Sequence, residues 1–180
     1  MTNAELAILT LVAERPIHGY AIERAIEERG MREWTEIGFS SIYYLLNKLE
    51  KAGYVESYIE PAAGNGPARK TYRITDAGRQ AQAAAAYRTL AEPGKAPMPF
   101  LLGLANLPVL PPEQAVAALG SHRQQLVARR QHLRQRRDEQ PGAPSHVVAM
   151  FDYSLRLIEA EIEWLDEFMQ RLEEKANAKS

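Results

Sequence analysis

The residues with catalytic potential are four histidines, His18, His122, His132 and His146, and a set of carboxylates near the C-terminus. No two histidines stand four apart, and none has an acidic residue at ligand spacing, so neither a zinc site nor an acid–base pair is outlined. The absence of cysteine excludes thiol nucleophiles, disulfides, iron–sulfur clusters and thiolate zinc sites. Gly64-Asn65-Gly66 falls between two strand-like runs, not ahead of a helix, and so does not form a phosphate cradle. Glu159, Glu161, Glu163, Asp166 and Glu167 read as the solvated side of a helix. The expectation is a protein that is not an enzyme, with no catalytic residues, no metal and no cofactor.

A different chemistry is available between residues 40 and 79. Ser41, Tyr44, Asn47, Lys48 and Lys51 lie away from an Ile42/Leu46/Leu49 stripe, with Tyr43 at its border. Hydroxyls, amides and cations of this kind reach base edges and phosphates in a major groove; an ordinary solvent-facing helix would look similar. Further on, Arg69, Lys70, Arg73 and Arg79 stand against Asp76 alone, a local excess of three positive charges from Pro67 to Arg79. Cations beside a glycine-rich tip (Gly64, Gly66, Pro67) suit a minor groove or its phosphates. They would equally keep an exposed hairpin from pairing with other strands.

The elements that must carry these residues are legible from periodicity. The chain has 180 residues, with 22 Lys and Arg against 23 Asp and Glu, a net charge of -1 that by itself argues against a nucleic-acid binder. Leu6, Ile8, Leu9 and Val12 follow a Thr2 or Asn3 cap and give a first helix that ends at Pro16. His18-Gly19 opens a second helix, anchored by Tyr20, Ile22 and Ile26 and closing at Gly30. Ser40 or Ser41 caps a third, with Ile42, Leu45, Leu46 and Leu49 at i, i+3, i+4, i+7, that runs to Ala52 before Gly53. Two β-rich runs, 54–60 and 70–75, flank a Pro/Gly loop and predict a hairpin, and Thr75-Asp76 starts a fourth helix. This order predicts a winged helix-turn-helix, so the fold class is mainly α with a small β-hairpin wing. The expected division is 1–80 for DNA binding, 81–112 as a linking helix and Pro-rich connector, and 113–180 as an antiparallel helical dimerisation domain.

In the last helix Val148, Phe151, Leu155, Ile158, Ile162, Leu165, Met169 and Leu172 are spaced three and four apart without a break, a heptad seam. Its partner is the preceding helix (Leu119, Leu126 and Leu133 are seven apart), another copy of the chain, or both; both is the expectation. Arg123, Arg129, Arg130, Arg134, Arg136 and Arg137 are expected mainly to pair with the acidic side of this last helix. No signal-peptide pattern and no membrane-length apolar run occurs, which suggests a cytoplasmic protein.

The sequence resembles the PadR family of bacterial transcriptional regulators. The resemblance rests on His18-Gly19-Tyr20-Ala21-Ile22, Ser41-Ile42-Tyr43-Tyr44-Leu45-Leu46, Lys48-Leu49-Glu50 with Gly53, Gly66-Pro67-Ala68-Arg69-Lys70, and Tyr72-Arg73-Ile74-Thr75 with Gly78. The second half is similar in layout to the longer helical C-terminal domain of the subgroup of the virulence activator AphA. Ser40 and Tyr44 depart from the family's usual glycine and its proline or basic residue. The resemblance implies DNA contacts from Tyr20, Ser41, Tyr43, Lys48, Arg69 and Lys70. Tyr20, Tyr43 and the wing cations would hold phosphates, while Ser41, Tyr44 and Asn47 would lie nearer to bases. Its partners would be double-stranded operator DNA and a second copy, in a homodimer acting as a repressor, with a small aromatic or phenolic effector and no membrane. An activator of the same fold, or a winged-helix protein-interaction module without DNA binding, are the alternatives. The segment Phe100–Leu110 and the dimer seam are where an effector pocket would be sought.

Overall fold

Thr2 opens the first helix, α1 (Asn3–Glu14), through a reciprocal capping box: its hydroxyl accepts from the Glu5 amide, and the Glu5 carboxylate accepts from the Thr2 amide. In the computed structural model the side of α1 carrying Ile8, Leu11 and Val12 is buried, and the chain leaves the helix at Arg15 in an extended conformation ahead of Pro16. All residues are described except 34, 36, 39–40, 62–67, 93–98 and 178–180, with the side chains of 33 and 175–177 also left aside. Ser40, Trp34 and the glycines of the hairpin tip therefore lie outside the described residues.

Ile17–His18 forms a short strand, β1, and His18 then caps α2 (Gly19–Glu28), its Nδ1 accepting from the Ala21 amide at 3.2 Å. The expectation that His18 shapes the start of the second helix is met by this bond. A single 3-10 turn, Met31–Glu33, follows Gly30, whose φ of 62° is in the left-handed region. α3 (Ser41–Lys51) buries Ile42, Leu45, Leu46 and Leu49, the four positions its periodicity marked, and the chain turns at Gly53 with φ 74°. β2 (Val55–Glu60) and β3 (Arg69–Ile74) pair antiparallel from Val55 opposite Ile74 to Glu60 opposite Arg69. α4 (Asp76–Ala91) starts from Thr75, whose hydroxyl accepts from the Gly78 amide.

The wing is not only a hairpin. β1 pairs with β3, so the sheet has three strands in the order β1-β3-β2, with Ile17 opposite Tyr72. Two residues are too few to show alternation, and only the tertiary pairing makes them a strand. One core joins the elements: Ile8, Leu9, Ile22, Ile26, Ile42 and Leu46 are all fully buried, with Val55 and Tyr72 closing it from the sheet.

The chain divides into two compact units, Met1–Ala96 and Pro97–Ser180. The second holds α5 (Pro99–Ala105), a 3-10 turn (Leu107–Val109), α6 (Pro112–Asp138) and α7 (Ser145–Asn177). α6 is continuous through Gly120. Leu119, Leu126 and Leu133 of α6 meet Leu155, Ile158, Ile162 and Leu165 of α7 in a second core. Polar contacts run along the same face between the two helices: Arg123 pairs with Asp166, Arg134 pairs with Glu159 at 2.6 Å, and the His122 Nε2 lies 3.0 Å from a Glu161 carboxylate oxygen. Arg123 and Arg134 of the basic run thus pair with α7, as its sequence suggested. No helix among the described residues is long and apolar enough to cross a membrane.

Candidate nucleic-acid interface

With Ile42, Leu45, Leu46 and Leu49 turned into the core, the helical period sends Tyr43, Tyr44, Asn47, Lys48 and Lys51 outward, and all five are exposed. Ser41, half-buried, is the first residue of the helix. Tyrosines left in water at 56% (Tyr43), 66% (Tyr44) and 68% (Tyr20) exposure add nothing to the core and leave their hydroxyls available to a partner. Tyr43 lies against Gly19: a Cβ there would stand 2.5 Å from the tyrosine Cε1, so the missing side chain makes room for the ring.

Tyr20, Tyr43, Arg69 and Lys70 come together around one open groove of about 610 Å³ between α2, α3 and the wing. His18, Arg24 and Tyr72 also line it, and the sequence reading assigned none of them. Arg24 had a readable signal, since it stands one helical turn after Tyr20 on the same face. Tyr44, Asn47, Lys48 and Lys51 lie on the outward side of α3 without lining this groove. Arg73 borders a separate shallow depression of about 200 Å³ beside Glu56, Ser57 and Tyr58.

The charge of this surface differs from the excess of three counted along Pro67–Arg79. That count omits β2, which lays Glu56 opposite Arg73 and Glu60 opposite Arg69. Arg73 pairs with Glu56 at 2.6 Å, and Lys70 pairs with Glu50 of α3 at 2.9 Å. Lys48 pairs with Glu5 at 2.5 Å and Arg24 with Glu28 at 2.6 Å. Among the described residues Arg69 and Lys51 have no carboxylate partner, and the Arg69 guanidinium lies 3.5 Å from His18 Nε2. Hydrogen bonds donated to the Glu5 and Glu50 carboxylates hold the ammoniums of Lys48 and Lys70 above the ordinary lysine range. Ser57 and then Lys70, by hydrogen bonding, hold the Glu50 carboxyl below its usual range. Burial pushes the Glu5 carboxyl up, but the Lys48 ammonium and the Thr2 amide outweigh it and leave it lowered.

In the second unit the heptad seam is spent largely within the chain. Leu155, Ile158, Ile162 and Leu165 are buried against α6, Phe151, Met169 and Leu172 pack at its margins, and Val148 is exposed. A second apolar stripe on α7, Met150, Tyr153, Leu157 and Trp164, stays exposed. Phe100 of α5 stacks on His122 at 4.5 Å between centroids and meets Trp164 edge-on at 6.0 Å, while Trp164 stacks on Phe168.

Residues 8–84 match the transcriptional regulator PadR-like family, and residues 98–173 match the virulence activator alpha C-terminal family. No curated protein sequence matches the chain. Among solved structures, PadR of Bacillus subtilis in complex with operator DNA is similar at a TM-score of 0.79 and 20% identity, over 95% of this chain and 99% of that one. The same protein in complex with p-coumaric acid is similar at 0.75 and 20%, over 94% and 98%. A PadR-like transcriptional regulator of Bacillus cereus is similar at 0.70 and 20%, over 96% and 99%. The chain thus joins a winged-helix domain of the transcriptional regulator PadR-like family to a helical domain of the virulence activator alpha C-terminal family.

Proposed function

We propose that this regulator binds double-stranded operator DNA as a cytoplasmic homodimer, acts as a repressor and not as a catalyst, and is released by a small aromatic effector. The observation that carries the DNA reading is the groove in which Tyr20 of α2, Tyr43 of α3 and Arg69 and Lys70 of the wing converge. Ser41, Tyr44 and Asn47 would face base edges; Tyr20, Tyr43, Lys48, Lys51, Arg69, Lys70 and Arg73 would face phosphates. Ser40 precedes α3 and keeps its place in this assignment through the sequence alone. Residues 1–80 would form the DNA-binding domain, 81–112 the connection and 113–180 the dimerisation domain.

Dimerisation would use α7. The exposed or half-buried parts of the seam (Val148, Phe151, Met169, Leu172) together with the stripe Met150, Tyr153, Leu157 and Trp164 offer apolar surface that one chain leaves uncovered. In such a dimer the two α3 helices would enter major grooves about 34 Å apart or a multiple of that. The effector reading is supported by the Bacillus subtilis structure with p-coumaric acid. It is also supported by the aromatic group Phe100, His122, Trp164 and Phe168, whose rings would stack on a phenolic ligand. A mobility-shift assay with DNA from upstream of the chain's own gene tests the proposal. Salt-sensitive binding to one segment, weakened by p-coumaric acid, is expected; no preference for any segment would overturn it. The virulence-activator type of C-terminal domain favours one second reading, an activator, which a transcription readout from the bound promoter separates from a repressor.

A further inference from the structure

On the face of the first unit that would meet DNA, four cations already rest on carboxylates of their own chain: Arg24 on Glu28, Lys48 on Glu5, Lys70 on Glu50 and Arg73 on Glu56. Glu50 stands apart because it ties α3 to both strands of the wing hairpin. It lies one residue from the end of α3 and receives both the Ser57 hydroxyl of β2 and the Lys70 ammonium of β3. Lys70 in turn lines the groove, and its ammonium stands 5.1 Å from the centre of the Tyr72 ring. Both partners of this pair are partly exposed, at 43% and 32%, so the contact is weak enough to be exchanged for another anion. A phosphate that takes Lys70 must displace Glu50 and leaves that carboxylate, still held by Ser57, beside the duplex. Such a like-charge neighbour disfavours any duplex that does not compensate for it elsewhere.

Resting on the DNA-binding reading above, we propose that Glu50 is an internal competitor that withholds Lys70 from arbitrary phosphates, at a cost in affinity for the operator as well. It yields the lysine only when a fitting duplex seats α3 and the wing together. On a poorly fitting duplex Lys70 stays with Glu50 and releases no counterions. On the operator, α3 in its groove brings a phosphate to the wing and Lys70 exchanges one anion for the other. Each phosphate neutralised in this way adds about 0.9 to the slope of affinity against salt.

The test compares two labelled duplexes across a salt series: one enriched by the wild-type protein from a randomised pool, and a scrambled duplex of the same composition. Glu50→Gln keeps the size of the side chain and an acceptor for Ser57 while removing the charge. It is expected to bind the enriched duplex about fivefold more tightly with an unchanged slope, because Lys70 is already on its phosphate there, and the scrambled duplex more tightly by no more than that factor but with a slope steeper by about 0.9. Lys70→Met is expected to weaken the enriched duplex about tenfold with a shallower slope, and the scrambled duplex by less than about twofold. Wild-type affinity and slope of Glu50→Gln on scrambled DNA overturn the proposal. Equal weakening of both duplexes also overturns it, because that is the behaviour of a clamp that merely holds the wing. A wild-type protein that enriches no duplex overturns instead the DNA-binding reading beneath it.

Discussion

Lys48 and Arg69 carry the same charge on the same face of the first unit but differ in what their removal leaves behind. Arg69 has no carboxylate partner among the described residues, so Arg69→Ala removes a cation and little else. It is expected to weaken operator binding about tenfold and lower the salt slope by about one, with thermal stability unchanged. Lys48→Ala strips the cation from Glu5, whose carboxylate is almost wholly buried, and is expected to lower the melting temperature as well as the affinity. The same pair sets a pH dependence. The Glu5 carboxyl lies below its ordinary value of 4.5 in the folded chain. Its contribution is therefore complete above that value and is lost as pH falls through the lower folded one. Melting temperatures measured from pH 7 downward are expected to fall below about 4.5 more steeply for the wild type than for Lys48→Ala. Parallel curves would show that the pair does not set this dependence. None of these pairs was legible beforehand. Lys48 and Glu5 are far apart in the chain, as are Lys70 and Glu50, and a charge count along a window sees only neighbours in sequence.

Elements with a strong period could be read directly from the residues. α3 showed its four buried positions because one face of an 11-residue helix meets the core, and Thr2 and Glu5 announced the start of α1 by their spacing. β1 escaped because a two-residue strand has no period, and with it went the closure of the wing onto the start of α2. On α7 Trp164 was legible as widening the apolar face, but Met150, Tyr153 and Leu157 escaped, because two faces of one long helix interleave in the sequence and the heptad seam masks its neighbour. Tight junctions between elements also bear on mutation. A Cβ at Gly78 would stand 2.0 Å from the Tyr54 carbonyl oxygen, a backbone atom that cannot turn aside. Gly78→Ala is expected to cost about 2 kcal/mol or more in chemical denaturation. At Gly19 the obstacle is the Tyr43 ring, which can swing away. Gly19→Ala is therefore expected to leave stability nearly intact while changing DNA affinity, and the reverse outcome would detach Tyr43 from the site.

For the whole molecule the net charge of -1 sets the terms of DNA binding. Without a basic excess, attraction to arbitrary duplex is expected to be weak, and in the proposed dimer useful affinity would depend on two half-sites engaged at once. Light scattering is expected to give twice the 20.2 kDa of one chain at micromolar concentration. Leu157→Glu on the exposed stripe is expected to give monomers with unchanged helix content, whereas Leu165→Ala, fully buried against α6, is expected to cost about 2–5 kcal/mol of stability. A Leu157→Glu protein that remained a dimer would move the interface off that stripe. In the proposed dimer each wing would be tethered to its copy, and the strand order acquires a further meaning. β2 forms an outer margin of the sheet, with Tyr58 and Ile59 exposed along it. A bare margin of this kind invites strand addition from its twin, a route to fibrils. Glu56 and Glu60 stand two residues to either side of Tyr58, and Pro61, which has no amide hydrogen to donate, follows. The acids that temper the wing's cations therefore also guard it against its own copy.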